Sequence, residues 1–148
     1  MKPLRLLAAI AALAAGQPAS GPIRFEEVSE SAGLRFTHSF GAEKLGSLVE
    51  STGAGAVWFD YNNDGLPDLY VVSGKDLGAG MHPYPLRKAP AVAPHNHLFR
   101  NEGHSRFNDV TAEAGVGGDL FGMAAIAADY DNDGHVDLLV TGYGHVTL

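Results

Sequence analysis

Two stretches of this 148-residue chain carry residue types at a spacing that can do chemistry: Asp60 to Asp68, DYNNDGLPD, and Asp129 to Asp137, DYDNDGHVD. In each, oxygen-bearing side chains occupy the first, third, fifth and ninth places: Asp60, Asn62, Asp64 and Asp68, then Asp129, Asp131, Asp133 and Asp137. A glycine, Gly65 or Gly134, follows the fifth place and permits a turn sharp enough for the carboxylates to converge. Converged carboxylates repel: two unit charges about 4 Å apart cost roughly 4 kcal/mol at an effective dielectric of about 20. Three or four of them would offset much of a domain's stability of about 5–15 kcal/mol, so the pattern implies a cation. Calcium, with about 6–8 oxygen ligands in flexible geometry, suits the set better than magnesium, which demands a rigid octahedron. The backbone carbonyl of the seventh residue, Leu66 or His135, and water would complete the shell. Two calcium sites are expected.

Neither loop is an EF-hand, because Val71 and Val140 stand at the twelfth place where that motif needs an acid. Apolar runs flank both: AVWFD and DLYVV around the first, MAAIAAD and DLLVT around the second. These predict strand, metal loop, strand. The competing explanation, that Asp, Asn and Gly are simply good turn formers, is weakened by the identical spacing of the two copies.

A second repeat supports the first. RFEEVSESAGL from Arg24 and RFNDVTAEAGV from Arg106 share Arg, Phe, an acid before Val, a hydroxyl residue, and a closing Ala-Gly. This pair is offset by 82 residues and the Asp loops by 69, which places an insertion between Leu34 and Asp60, in the Gly-bearing stretch RFTHSFGAEKLGS. Strands are predicted over Ala56–Asp60, Asp68–Ser73, His97–Asn101 and Arg106–Thr111, with turns at NNDG and NEGHS. Four antiparallel strands in roughly 60 residues is the size of one propeller blade. The expected fold is all-β: a partial β-propeller with one complete blade over about 53–116, an incomplete one over 117–148 that ends after its second strand, and Arg24–Ser29 as a lone outer strand. Since propellers need about four to eight blades, the chain is expected to be the N-terminal portion of a longer one.

Composition and the N-terminus point to an exported globular chain. The 45% hydrophobic and 18% charged content is globular. A net charge of -7 argues against nucleic acid or anionic membranes as partners. Seven of the acids lie in the two Asp loops, and no cysteine is present for disulfides or thiolate sites. Lys2 and Arg5 precede an apolar run from Leu6 to Ala15, followed by small residues, the order of a secretory signal peptide over residues 1–16. Cleavage fits after Ala14 or Gly16. The run is too short to span a bilayer, which needs about twenty residues. The expected location is secreted, periplasmic or cell-surface, where calcium fills sites with dissociation constants of about 10⁻⁴–10⁻³ M.

The Asp loops, the lead-ins GAGAVWFDYNNDG and FGMAAIAADYDNDG, and the link NHLFRNEGHSRFNDVTAEAGV resemble FG-GAP or VCBS repeats, and more closely the cartilage acidic protein group (ASPIC/UnbV-associated). The resemblance implies a seven-bladed propeller of the integrin α-subunit type, calcium in the hairpin loops, and binding or adhesion to a protein or glycan rather than catalysis. It places the calcium ligands on the eight Asp and Asn positions named above. Asn62 stands where Asp is usual, which implies a weaker first site. The stretch Lys75–Asn96, with Pro83, Pro85, Pro90 and Pro94, is longer than the family's usual link and reads as a surface loop. An alternative function, a propeller-type polysaccharide lyase or hydrolase, would use His82, Tyr84 and Arg87 of that loop.

Other residues carry weaker signals. His95 and His97 are two apart and face one side of a predicted strand, but a zinc site would need a third ligand such as His82 or His104. GAGAVWF lacks the Lys and Ser or Thr of a phosphate-binding loop. Ser73 lacks the glycine two places before it that a nucleophile elbow requires.

Overall fold

The computed structural model describes residues 22–40, 44–51, 53–75, 95–118 and 121–148. Strands β1 (Ala56–Phe59), β2 (Asp68–Val71), β3 (His97–Asn101) and β4 (Phe107–Asp109) form an antiparallel sheet in that spatial order. A second antiparallel sheet contains β5 (Gly122–Ala128), β6 (Asp137–Gly142) and β7 (His145–Thr147). Two four-residue helices, α1 (Ser29–Ala32) and α2 (Thr111–Ala114), are single turns. No helix among the described residues is long and apolar enough to cross a membrane.

Register assigns each side chain to a face. Val57, Tyr70 and Leu98 lie opposite one another across β1, β2 and β3, so period-two alternation puts them on one side. The next row, Trp58, Leu69, Phe99 and Asp109, falls on the other side. The first row packs against the second sheet, giving a core of Tyr70, Val72, Leu98, Val110 and Val140 with Leu138 and Ala125 against it. Each such apolar side chain withdrawn from water contributes about 1.5–3 kcal/mol. On the opposite side Trp58 stays 56% exposed and meets Phe107 edge-on at 5.9 Å.

Backbone bonds knit the two sheets together. The Gly55 amide donates to the Met123 carbonyl at 2.9 Å, and the Gly122 amide to Ser73 at 3.0 Å. Both glycines are needed for this approach: a Cβ on Gly122 would overlap the Val72 side chain, and one on Gly55 would sit 3.0 Å from the Ala124 Cα. A buried polar chain braces the same joint. Asn96 accepts the Ser73 amide at 2.9 Å and donates to the Tyr70 hydroxyl at 2.8 Å, which in turn donates to the Val116 carbonyl at 2.8 Å. Burial raises the Tyr70 pKa, and the Asn96 hydrogen bond works the other way.

The repeat at 24–34 and 106–116 is visible as the two helical turns, each closed by a left-handed glycine, Gly33 (φ 86°) and Gly115 (φ 71°). Two expectations are corrected. Arg24–Ser29 forms no strand: residues 24–28 pair with no described strand, Ser29 opens α1, and Phe25 is 97% exposed. The second sheet does not stop at two strands: the two-residue turn Tyr143–Gly144, with Gly144 at φ 93°, returns the chain as β7 onto β6. Residues 1–16 and most of the Pro-rich stretch lie outside the described residues.

Candidate metal centre

Each Asp loop bridges the first two strands of its sheet, so pairing at the loop base fixes both ends: Phe59 opposite Asp68, and Ala128 opposite Asp137. Within each loop the fourth and sixth residues adopt left-handed backbone, Asn63 (φ 58°) and Gly65 (φ 84°), Asn132 (φ 61°) and Gly134 (φ 89°). Asn and Gly are the residues that enter this region at least cost, which explains why these types stand there.

The turn points backbone amides inward at the carboxylates. Asp60 accepts the amides of Asp64 at 3.0 Å and Gly65 at 2.8 Å, Asp64 accepts Leu66 at 2.8 Å, and Asp68 accepts Tyr61 at 2.8 Å. The second loop repeats every bond. Asp129 accepts Asp133 at 3.1 Å and Gly134 at 3.0 Å, Asp133 accepts His135 at 2.8 Å, and Asp137 accepts Tyr130 at 2.8 Å. The third place does the same in both: Asn62 accepts the Asp64 amide at 3.3 Å, and Asp131 the Asp133 amide at 3.2 Å. These amides hold the acids in place but, being dipoles, leave their net charge uncancelled.

Asp129, Asp131 and Asp137 each bring one oxygen to within 4.8 Å of the other two. Twice a calcium–oxygen distance of about 2.4 Å is about 4.8 Å, so all three fit around one ion of that size. Among the described residues no other set of three or more acidic or histidine ligands does so. The donor set is all carboxylate, with Asp129 and Asp131 exposed and Asp137 partly so, and no Lys or Arg stands in the loop, which suits a hard divalent metal. Asp133 lies outside the converging trio and is engaged by the His135 amide. In the first loop the middle ligand is the neutral Asn62, whose amide nitrogen donates to Asp64 at 2.8 Å. The first loop therefore gathers less negative charge than the second.

Asp68 differs from its counterpart in a way that its position in the sequence does not reveal. It is fully buried, and its second oxygen accepts the amide of Asn101, at the end of β3, at 2.7 Å. Asn101 also donates to the Pro67 carbonyl at 2.9 Å and accepts the Gly103 amide at 2.9 Å. The first Asp loop is thus sealed to the β3–β4 turn. Asn101 was missed as a site residue; the only signal was the Asn-Glu-Gly turn that it opens. Asp137 is partly exposed and has no such third-strand amide among the described residues.

Among the described residues no group of histidines gathers as a metal centre. His95 and His97 share a side as expected, but their rings stack, with centroids 4.3 Å apart at 28°. His97 also stacks on Phe99, and its Nδ1 lies 2.7 Å from Asp109. Partial burial works to raise the Asp109 pKa, but hydrogen bonds from Thr111 and His97 and the imidazole's charge outweigh it and leave it below the ordinary carboxylate value. His104 sits exposed in the β3–β4 turn, and His82 lies outside the described residues, as do Tyr84 and Arg87 of the alternative enzyme reading. Ser73 is buried with its hydroxyl donating to the Gly74 carbonyl.

Residues 78–140 match the FG-GAP-like repeat family. That span takes in β3, β4, α2, β5 and the second Asp loop, but not the first. No curated protein and no solved structure matches the chain.

Proposed function

We propose that this chain is a calcium-binding repeat module whose role is binding or adhesion and in which calcium is structural. The observation that carries the reading is the convergence of Asp129, Asp131 and Asp137 within 4.8 Å, in a loop whose hydrogen bonds are duplicated in the other sheet. The FG-GAP-like match over residues 78–140 supports a module of the β-propeller type. Two antiparallel sheets packed face to face through the Tyr70–Leu98–Val140 core are compatible with neighbouring blades.

Asp129, Asp131 and Asp137 would hold the ion in the second loop, with the His135 carbonyl completing the set; Asp60, Asn62 and Asp68 with the Leu66 carbonyl would do so in the first. Bound calcium supplies positive charge at the centre of each acid cluster. The chain's own amides already orient the acids, so the ion's contribution is to remove their mutual repulsion and stiffen the hairpin ends. In this reading the protein is exported, belongs with the ASPIC/UnbV-associated group, and forms part of a larger seven-bladed propeller.

Thermal unfolding in calcium and in chelator tests the reading. A midpoint several degrees higher in calcium is expected, since a ligand at about 100 times its dissociation constant stabilises by about 2.7 kcal/mol. Equal midpoints would overturn it.

A further inference from the structure

The two Asp loops touch. The side-chain amide of Asn63, fourth in the first loop, lies 3.3 Å from Nδ1 of His135, seventh in the second. Neither side chain is a proposed ligand. Each sits on its own loop's turn: Asn63 reaches across from a backbone in the left-handed region at φ 58°. His135 follows directly on Asp133 and Gly134, and its amide donates to Asp133 while that of Gly134 donates to Asp129. Behind the loops, β1 and β5, the strands that lead into them, are joined by the Gly55–Met123 hydrogen bond and by the close approach of Gly55 to Ala124.

We infer that the two cation sites are coupled, the Asn63–His135 contact transmitting order from one loop to the other so that calcium in either tightens the other. This rests on the calcium reading above. An ion in the second loop fixes residues 133–135 and hence the His135 ring. A fixed ring gives Asn63 a standing partner, which removes part of the ordering cost of the first loop before its own ion arrives. By linkage the effect is reciprocal. The first site, with the neutral Asn62, has the most to gain. The coupling has a direction along the chain: the fourth place of one loop meets the seventh of the next, and Leu66, at the seventh place of the first loop, has no polar side chain to receive such a contact.

The test is a thermodynamic cycle on the whole chain, read by calorimetric calcium titration at about 0.15 M salt, where the Debye length is about 8 Å and direct repulsion between the ions is screened. The second loop is disabled with Asp129→Asn and Asp131→Asn together. Asn63→Gly removes the bridging amide while keeping a residue that accepts positive φ. Disabling the second loop should weaken the first site about fivefold in the parent and leave it unchanged in the Asn63→Gly background. His135→Ala, which retains the backbone carbonyl, should reproduce the Asn63→Gly result. A parent with two bound ions whose first site ignores the second loop overturns the coupling and leaves calcium binding standing. An equal loss in both backgrounds also overturns it. Absence of calcium binding in the parent overturns the coupling together with the function on which it rests.

Discussion

Asp68 and Asn101 are joined across 33 residues by a 2.7 Å hydrogen bond from the Asn101 amide to a carboxylate that is wholly shut off from water. With the Tyr61 amide on its other oxygen, Asp68 is both the last acid of the first Asp loop and the clamp that fastens that loop to the third strand. A buried charge satisfied on both oxygens is costly to disturb.

Asp68→Asn should therefore destabilise the chain by about 1–3 kcal/mol, because its amide nitrogen must face a backbone donor. The loss should persist in chelator, as it comes from the clamp rather than the ion. Urea unfolding with and without calcium separates the two contributions.

Removing charge from the second loop should matter more than altering the first. Asp131→Ala should erase more of the calcium-dependent rise in melting midpoint than Asn62→Ala, since Asp131 belongs to the converging trio and Asn62 carries no charge. Conversely, Asn62→Asp should tighten the first site. Calcium titration of the three variants checks the order.

The joint between the sheets tolerates no side chain at its closest point. Gly122→Ala would drive a methyl group into Val72 and should cost about 1–3 kcal/mol, as overpacking does. Gly117→Ala, whose methyl would lie 3.4 Å from the Thr111 methyl, should cost less. Paired denaturation curves decide it.

Tyr70→Phe should cost about 1–3 kcal/mol, because it strands the buried Asn96 amide and takes the donor from the partly buried Val116 carbonyl. Denaturation in chelator, where no bound ion contributes, isolates the effect.

Acid sensitivity should be traceable in part to Asp109. Its folded pKa lies below the unfolded value, so its contribution to stability is present above the unfolded pKa of about 3.9 and is lost as pH falls through the folded one. Asp109→Asn should flatten stability against pH below about 4, measured in chelator to keep metal-linked protons out of the curve.

The sequence by itself determined much of the local structure. Apolar runs set β1, β2 and β3 to within two residues of where they stand, and Asn and Gly at fixed places set both Asp loops, because these residues enter positive φ at least cost. The shared Ala-Gly endings mark where both helical turns close, at Gly33 and Gly115. Only the tertiary structure decided what depends on neighbours. Arg24–Val28 has the letters of a strand and none of its hydrogen bonds, because a strand exists only against another edge. Asp68 and Asp137 occupy the same place in the same motif, yet one is sealed by Asn101 and the other is not, since the sealing amide comes from a different strand. The Asn63–His135 contact spans 72 residues and arises only where two sheets pack with their loops side by side.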